Sequence, residues 1–185
     1  MLKLITAAVT SSFLSLVFAP GVAAQTPRVK KNLTPADRAE WRDLLRWPES
    51  CEQAYREAFA DEGQYGGLEF HRLSRGSYLV EVTCDGGGIQ PGTVFMLYDG
   101  RRARPLRLKG FGGETEVRAV VGFDRRRREL SLMSKADAMG TCGLFVRYSF
   151  AGGPPRVVEA RRQDDCGRPD GTPDTDRWPR VRLKR

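Results

Sequence analysis

The feature that most constrains this chain is a strand pair with a cysteine at each open end, in residues 141–166. Leu144, Val146, Tyr148 and Phe150 alternate with Phe145, Arg147 and Ser149, which is the two-residue period of a half-buried strand. Gly152-Gly153-Pro154-Pro155 breaks the run, and residues 157–162 return beside it. Hairpin geometry about that break gives opposed residues whose numbers sum to about 306 to 308. Val146 then faces Ala160, Tyr148 sits near Val158, and Cys142 falls close to Cys166 on one face. The stretch predicts a clamped hairpin and contains no reaction centre.

The chain has four cysteines, Cys51, Cys84, Cys142 and Cys166. An even count in an exported chain implies two bridges, and four cysteines permit three pairings. The hairpin favours Cys142–Cys166 and leaves Cys51–Cys84. Export is expected from residues 1–24, where Lys3 precedes a mostly apolar stretch and Val22-Ala23-Ala24 offers small residues for cleavage before Gln25. The apolar core is short beside the roughly 20 residues of a membrane span, so residues 1–24 read as a signal peptide. Loss of Lys3 lowers the formal charge from +8 to +7. Metal binding by the cysteines is disfavoured because no pair has C-x-x-C spacing and His71 is the sole histidine.

Residues 25–33 form a polar, basic lead-in, and residues 34–185 one domain. Thr34-Pro35-Ala36-Asp37 starts a helix: Thr34 caps, Pro35 suits the first helical position, and Asp37 favours the positive end of the dipole. Trp41, Leu44 and Leu45 give it an apolar stripe, and Pro48 stops it. A second helix is expected from Glu49 to about Ala60, with Cys51, Ala54, Tyr55, Ala58 and Phe59 on its buried face. From Gly66 the pattern becomes strands. Leu68 to Leu73 turns through Ser74-Arg75-Gly76-Ser77 into a strand whose apolar face is Tyr78, Val80, Val82 and Cys84, so that Cys84 can reach the helical Cys51. A glycine-rich loop over 85–92 follows. Residues 94–98 and 101–108 flank Asp99-Gly100, a two-residue hairpin signal. Residues 118–123 and 129–133 pair around an arginine-rich tip. Trp178-Pro179 is placed to dock the tail back on the domain. This order predicts an α+β fold: two N-terminal helices packed on a curled antiparallel sheet or partial β-barrel, with two disulfides.

These residues resemble a family of exported bacterial proteins known only as a domain of unknown function. The resemblance rests on Trp47 and Cys51, Cys84 with Gly88-Ile89-Gln90, Cys142-Gly143 leading to Tyr148 and Phe150, Cys166-Gly167, and Trp178-Pro179. Thr141 and Ile89 depart from the acid and the aromatic of that pattern. The resemblance implies export and a disulfide plan, and it brings no catalytic residue.

No catalytic, cofactor-binding or metal-ligating set emerges, and no cofactor is expected. His71 lacks a nucleophile-elbow motif around it. The glycine clusters at 86–88 and 110–113 lack the Lys-Ser/Thr ending of a phosphate loop and suit turns. Asp85, Glu114, Glu116 and Asp124 lie in or beside loops, where two convergent carboxyls would serve a hydrolase. The sharpest charge feature is Arg125, Arg126, Arg127 and Arg128, with Arg101, Arg102 and Arg104 and the terminal Arg180, Arg182, Lys184 and Arg185. Arginine's planar fork suits phosphate and carboxylate, so these are the candidate anion-binding residues. The bland counterpart is a solvated hairpin tip that aids solubility. The expected function is a non-enzymatic binding or envelope-associated protein with a basic surface. Its expected partner is an acidic envelope polymer, a membrane surface or another protein; specific nucleic-acid recognition is not expected. The alternatives are an inhibitor of a cell-wall hydrolase such as lysozyme, using the 85–92 loop, and a carboxylate-dependent hydrolase.

Overall fold

The computed structural model of the protein describes residues 29, 33–59, 66–111, 115–166 and 174–183. The expected signal peptide and the 61–63 end of the second helix lie outside them. Helix α1 spans Pro35–Leu45. The Thr34 hydroxyl accepts from the Asp37 amide at 3.2 Å and the Asp37 carboxylate accepts from the Thr34 amide at 3.0 Å, a reciprocal cap that fixes the start. Arg46, at φ 54°, ends α1 before Pro48 is reached. Pro48 instead forms the N-cap of α2, Glu49–Ala58, because proline disfavours helical backbone in the residue before it. The buried face of α2 is Cys51, Glu52 and Tyr55, and Ala58 is exposed. A buried Glu52 in place of Ala58 corrects the apolar stripe expected there.

Strands β1 (Leu68–Ser74), β2 (Ser77–Asp85), β3 (Gly92–Tyr98) and β4 (Ala103–Pro105) form an antiparallel sheet, and β5 (Glu116–Arg118) also pairs with β3. The β3–β4 connection is a four-residue loop between the paired Tyr98 and Ala103, wider than the two-residue turn read from Asp99-Gly100. The Asp99 carboxylate explains this, since its Oδ1 accepts from the amides of Arg101 and Arg102 at 2.9 and 2.7 Å and so builds its own turn. Strand β4 stops at Pro105, which has no amide to donate. Strands β6 (Val120–Asp124), β7 (Glu129–Lys135), β8 (Gly143–Ser149) and β9 (Arg156–Gln163) make a second antiparallel sheet. The expected 118–123 strand is therefore divided: Arg118 belongs to the first sheet, Val120 to the second, and the fully buried Ala119 carries the chain across.

The architecture is α+β as expected, with the strands shared between two open sheets. One face of the first sheet packs against the helices around Trp41, Leu45, Val80, Val82 and Met96. Its other face gives Leu79 and Phe95 to a second core shared with Leu130, Leu132, Val146 and Tyr148 of the second sheet. The alternation of β2 thus feeds two cores, which explains why Leu79 is fully buried although it lies on the face opposite Val80.

The 141–166 hairpin holds its expected register from Gly143↔Gln163 to Arg147↔Glu159, with Val146 opposite Ala160. A shift then sets Tyr148 against Val157 rather than Val158, as a bulge requires. Both bridges pair as expected. Cys51–Cys84 joins α2 to β2 with Cα atoms 4.5 Å apart, and Cys142–Cys166 closes the β8–β9 hairpin with Cα atoms 4.9 Å apart. Gly143 after the second bridge sits at φ +141°, where a Cβ would lie 2.0 Å from the Ser134 carbonyl oxygen, so the Cys-Gly step needs glycine. The tail does dock: Trp178 is buried, Arg162 donates to the Pro179 carbonyl at 2.9 Å, and Val181 donates to that of Ala160 at 2.9 Å.

Candidate functional site

Three turns from separate parts of the chain meet at one corner of the two sheets. The β1–β2 turn and the β3–β4 loop touch at Gly76 and Gly100. The β8–β9 turn approaches from the second sheet. Between them lies a groove of about 550 Å³. Its walls are apolar where Leu73, Leu97, Phe150 and Pro154 line it, and Arg102 and Arg104 stand among its lining residues. Leu73 and Leu97 are only half-buried, and both arginines are exposed.

The expected basic tip adjoins this groove. Asp124 organises the β6–β7 turn: its Oδ1 accepts from the amides of Arg126 and Arg127 at 2.8 and 3.0 Å. Those amides, Arg127's first, hold its carboxyl below the usual range. Arg128 completes the turn at φ 55°, and its carbonyl accepts from the Phe150 amide at 2.9 Å. A groove wall is therefore bonded directly to the tip. All four tip arginines are exposed. Arg125 lies 3.9 Å from Glu69 and Arg127 3.8 Å from Asp124. Among the described residues, Arg101, Arg102, Arg104, Arg126 and Arg128 form no close ion pair, although Arg102 acts on Asp99 and Arg126 on Asp124 through the charge of their own turns. Of the terminal cations, Arg180 is drawn to Glu159 at 3.8 Å, and residues 184–185 lie outside the described part.

The carboxylates weighed for hydrolysis are committed elsewhere. Asp85 and Glu116 both engage Arg118, at 2.6 and 3.2 Å. Burial alone would raise the Asp85 carboxyl, but hydrogen bonds from Arg118 and the Gly92 amide outweigh it and hold the group below its ordinary range. A carboxylate held this way is a poor proton donor. Asp124 caps its turn, and Glu114 lies outside the described residues.

His71 is buried, with Nε2 3.1 Å from Glu81 Oε2, Nδ1 3.8 Å from Glu69 Oε1, and its ring stacked on Phe123 at 4.4 Å. Glu69 and Glu81 are opposed across β1 and β2. These three could hold a cation, but Arg125 already approaches Glu69, and His71 does not line the groove.

The 85–92 loop is stiff. Asp85 Oδ1 accepts from the Gly92 amide at 3.1 Å, Gln90 Oε1 accepts from the Lys135 amide at 2.8 Å, and the Cys51–Cys84 bridge lies next to it. It presents Ile89, which is 50% exposed.

Sequence reasoning missed Arg38. It is 2% exposed, its Nε donates to Glu52 at 2.9 Å, and Nη1 donates to the carbonyls of Gly66 and Gly67 at 3.1 and 3.2 Å. Its guanidinium lies 3.6 Å from the centre of the Tyr55 ring and 5.0 Å from that of Trp47. Trp47 Nε1 also donates to Glu52, at 3.0 Å. Burial pulls the Arg38 pKa below its ordinary value against the pull of Glu52. The enclosed group ties α1, α2 and the entry to β1 together and offers no open face to a ligand.

No protein-family model matches the chain, and no solved structure matches it. One relative is an Escherichia coli (strain K12) protein described as "Uncharacterized protein YpfG", 25% identical over 115 residues. The match covers 58% of this chain and 32% of the relative, so the chain spans about a third of that protein's length.

Proposed function

We propose that this chain is an exported binding protein whose basic corner takes an acidic component of the cell envelope. The observation that carries the reading is the gathering of exposed arginines at one corner, Arg102 and Arg104 lining the groove and the 125–128 tip bonded to its wall at Phe150. Exposed guanidinium groups held away from close ion pairs keep their forked donors available to phosphate or carboxylate. Two disulfides fit an oxidising compartment, and residues 1–24 fit a signal that directs the chain there. The uncharacterised relative is consistent with membership in the exported family of unknown function that the Cys-Gly and Trp-Pro steps resemble. The test is retention on heparin and on isolated envelope polymer across a salt gradient. Replacement of Arg125, Arg126, Arg127 and Arg128 by serine is expected to lower the eluting salt clearly, since such contacts are screened. Unchanged retention would remove the electrostatic reading.

A second reading, inhibition of a cell-wall hydrolase, is favoured by one observation: the braced 85–92 loop holds an exposed Ile89. A rigid apolar tip suits insertion into another protein's cleft. Lysozyme assayed with a large excess of the protein tests this, and Ile89→Asp is expected to abolish any inhibition seen.

A further inference from the structure

We propose that the groove between the two sheets holds the hydrocarbon chain of a single anionic amphiphile, with the acidic head group between Arg102 and Arg104. This rests on the reading that the basic corner binds anions, and it names the ligand class. Leu73, Leu97, Phe150 and Pro154 present an apolar lining in a concave space of about 550 Å³, within the usual ~300–1,000 Å³ range of small-molecule sites. Leu73 and Leu97 pack partly on the second core and remain half-exposed toward the groove. A hydrocarbon chain laid against them would remove that surface from water. A sugar polymer would gain little from such walls, which offer few hydrogen-bonding groups along their length.

The charge at the mouth selects the head group. The charged residues of the lining are Asp99, Arg102 and Arg104. Asp99 is hydrogen-bonded by the amides of its own turn and also feels the charge of Arg102, but neither arginine forms a close ion pair among the described residues. Two guanidinium groups against one carboxylate leave the mouth net positive, and their side-chain donors can meet a phosphate or carboxylate head. Arg128, bonded through its carbonyl to Phe150, extends the same field past the groove wall. The occupant is one molecule, because the apolar surface lies inside a concavity where a flat bilayer does not reach.

The test uses the full exported chain and dodecyl phosphate below its micelle concentration, followed by calorimetry. Saturable one-to-one binding is expected, and butyl phosphate should bind at least a hundredfold more weakly, the loss expected if only about three or four of the eight extra methylenes are buried at ~0.8 kcal/mol each. Dodecyl maltoside, with an uncharged head, should also bind at least tenfold more weakly. Two variants locate the site: Arg102→Ala with Arg104→Ala removes the head contacts at exposed positions, and Ser77→Trp fills the groove from its half-buried lining. Each should weaken dodecyl phosphate binding tenfold or more. Equal binding of butyl and dodecyl phosphate, or loss only on substitution of Arg125 to Arg128, would overturn the groove assignment while leaving the anion reading intact. Equal binding of the maltoside would overturn the head-group assignment. Binding to anionic vesicles without binding to the monomer would overturn the proposal in favour of a membrane surface. Absence of both dodecyl phosphate binding and heparin retention would remove the anion reading as well.

Discussion

The protein uses arginine in two opposed ways on its two sides. Under the helices, Arg38 is enclosed and committed to Glu52, two carbonyls and two aromatic faces. At the groove corner, Arg102, Arg104, Arg126 and Arg128 stand in solvent and form no close ion pair among the described residues. A buried cation needs every compensation the fold can give, because leaving water is costly. An exposed one needs none and stays available. The same residue type therefore serves as a joint on one side and stands solvated on the other, and burial with its partners decides which.

The largest effect should come from breaking the joint. Glu52→Ala leaves Arg38 buried without its counter-charge and is expected to cost about 3–5 kcal/mol in urea unfolding. A loss below about 1 kcal/mol would mean that the helix side is held by apolar packing alone. Replacing Cys51 and Cys84 together by serine should cost ~3 kcal/mol by freeing a long unfolded loop. The two bridges should also differ in access. Cys51, Cys84 and Cys142 are fully buried, whereas Cys166 is exposed, so limiting reductant followed by thiol mass labelling should find Cys142 and Cys166 opened first. At the other side, serine at Arg126 and Arg128 should change stability by no more than about 0.5 kcal/mol while reducing anion retention. A large loss of stability there would erase the contrast.

A further small effect concerns acid. The Asp85 carboxyl is depressed in the folded protein, so its contribution is present above the unfolded value of roughly 3.9 and is lost as pH falls through the lower folded value. Arg118→Ala should flatten this limb of a stability–pH curve. With Arg118 about half exposed, the change should stay below about 1 kcal/mol.

The hairpin register as far as Arg147 and both bridges were legible because Val80, Val82 and Cys84 alternate along β2 and Val146 and Tyr148 along β8, which sets the cysteines on definite faces. The arginine tip was legible because an acid and four cations between two strands leave little but a turn. Arg38 was not read, since a charge near a helix start is expected to face water. Its signal was spacing: Arg38, Trp41 and Leu45 follow the i, i+3, i+7 rule of one face. Gly67 gave no warning either, yet at φ +60° a Cβ there would meet the Tyr55 ring at 2.5 Å and Arg38 at 2.9 Å. The sheet change at Ala119 was hidden because no glycine, proline or polar residue separates Arg118 from Val121, so nothing local marks the crossing. The groove could not be read at all. Its walls come from positions between 73 and 154, and nothing local links a leucine on β1 to a proline in the β8–β9 turn.

The docked tail has a consequence for how the molecule behaves in company. By donating from Val181 to Ala160 and accepting from Arg162 at Pro179, it occupies backbone groups along the free side of β9 that another copy could otherwise zip onto. It acts as a hem, and the protein's shelf life in concentrated solution depends on that hem staying stitched.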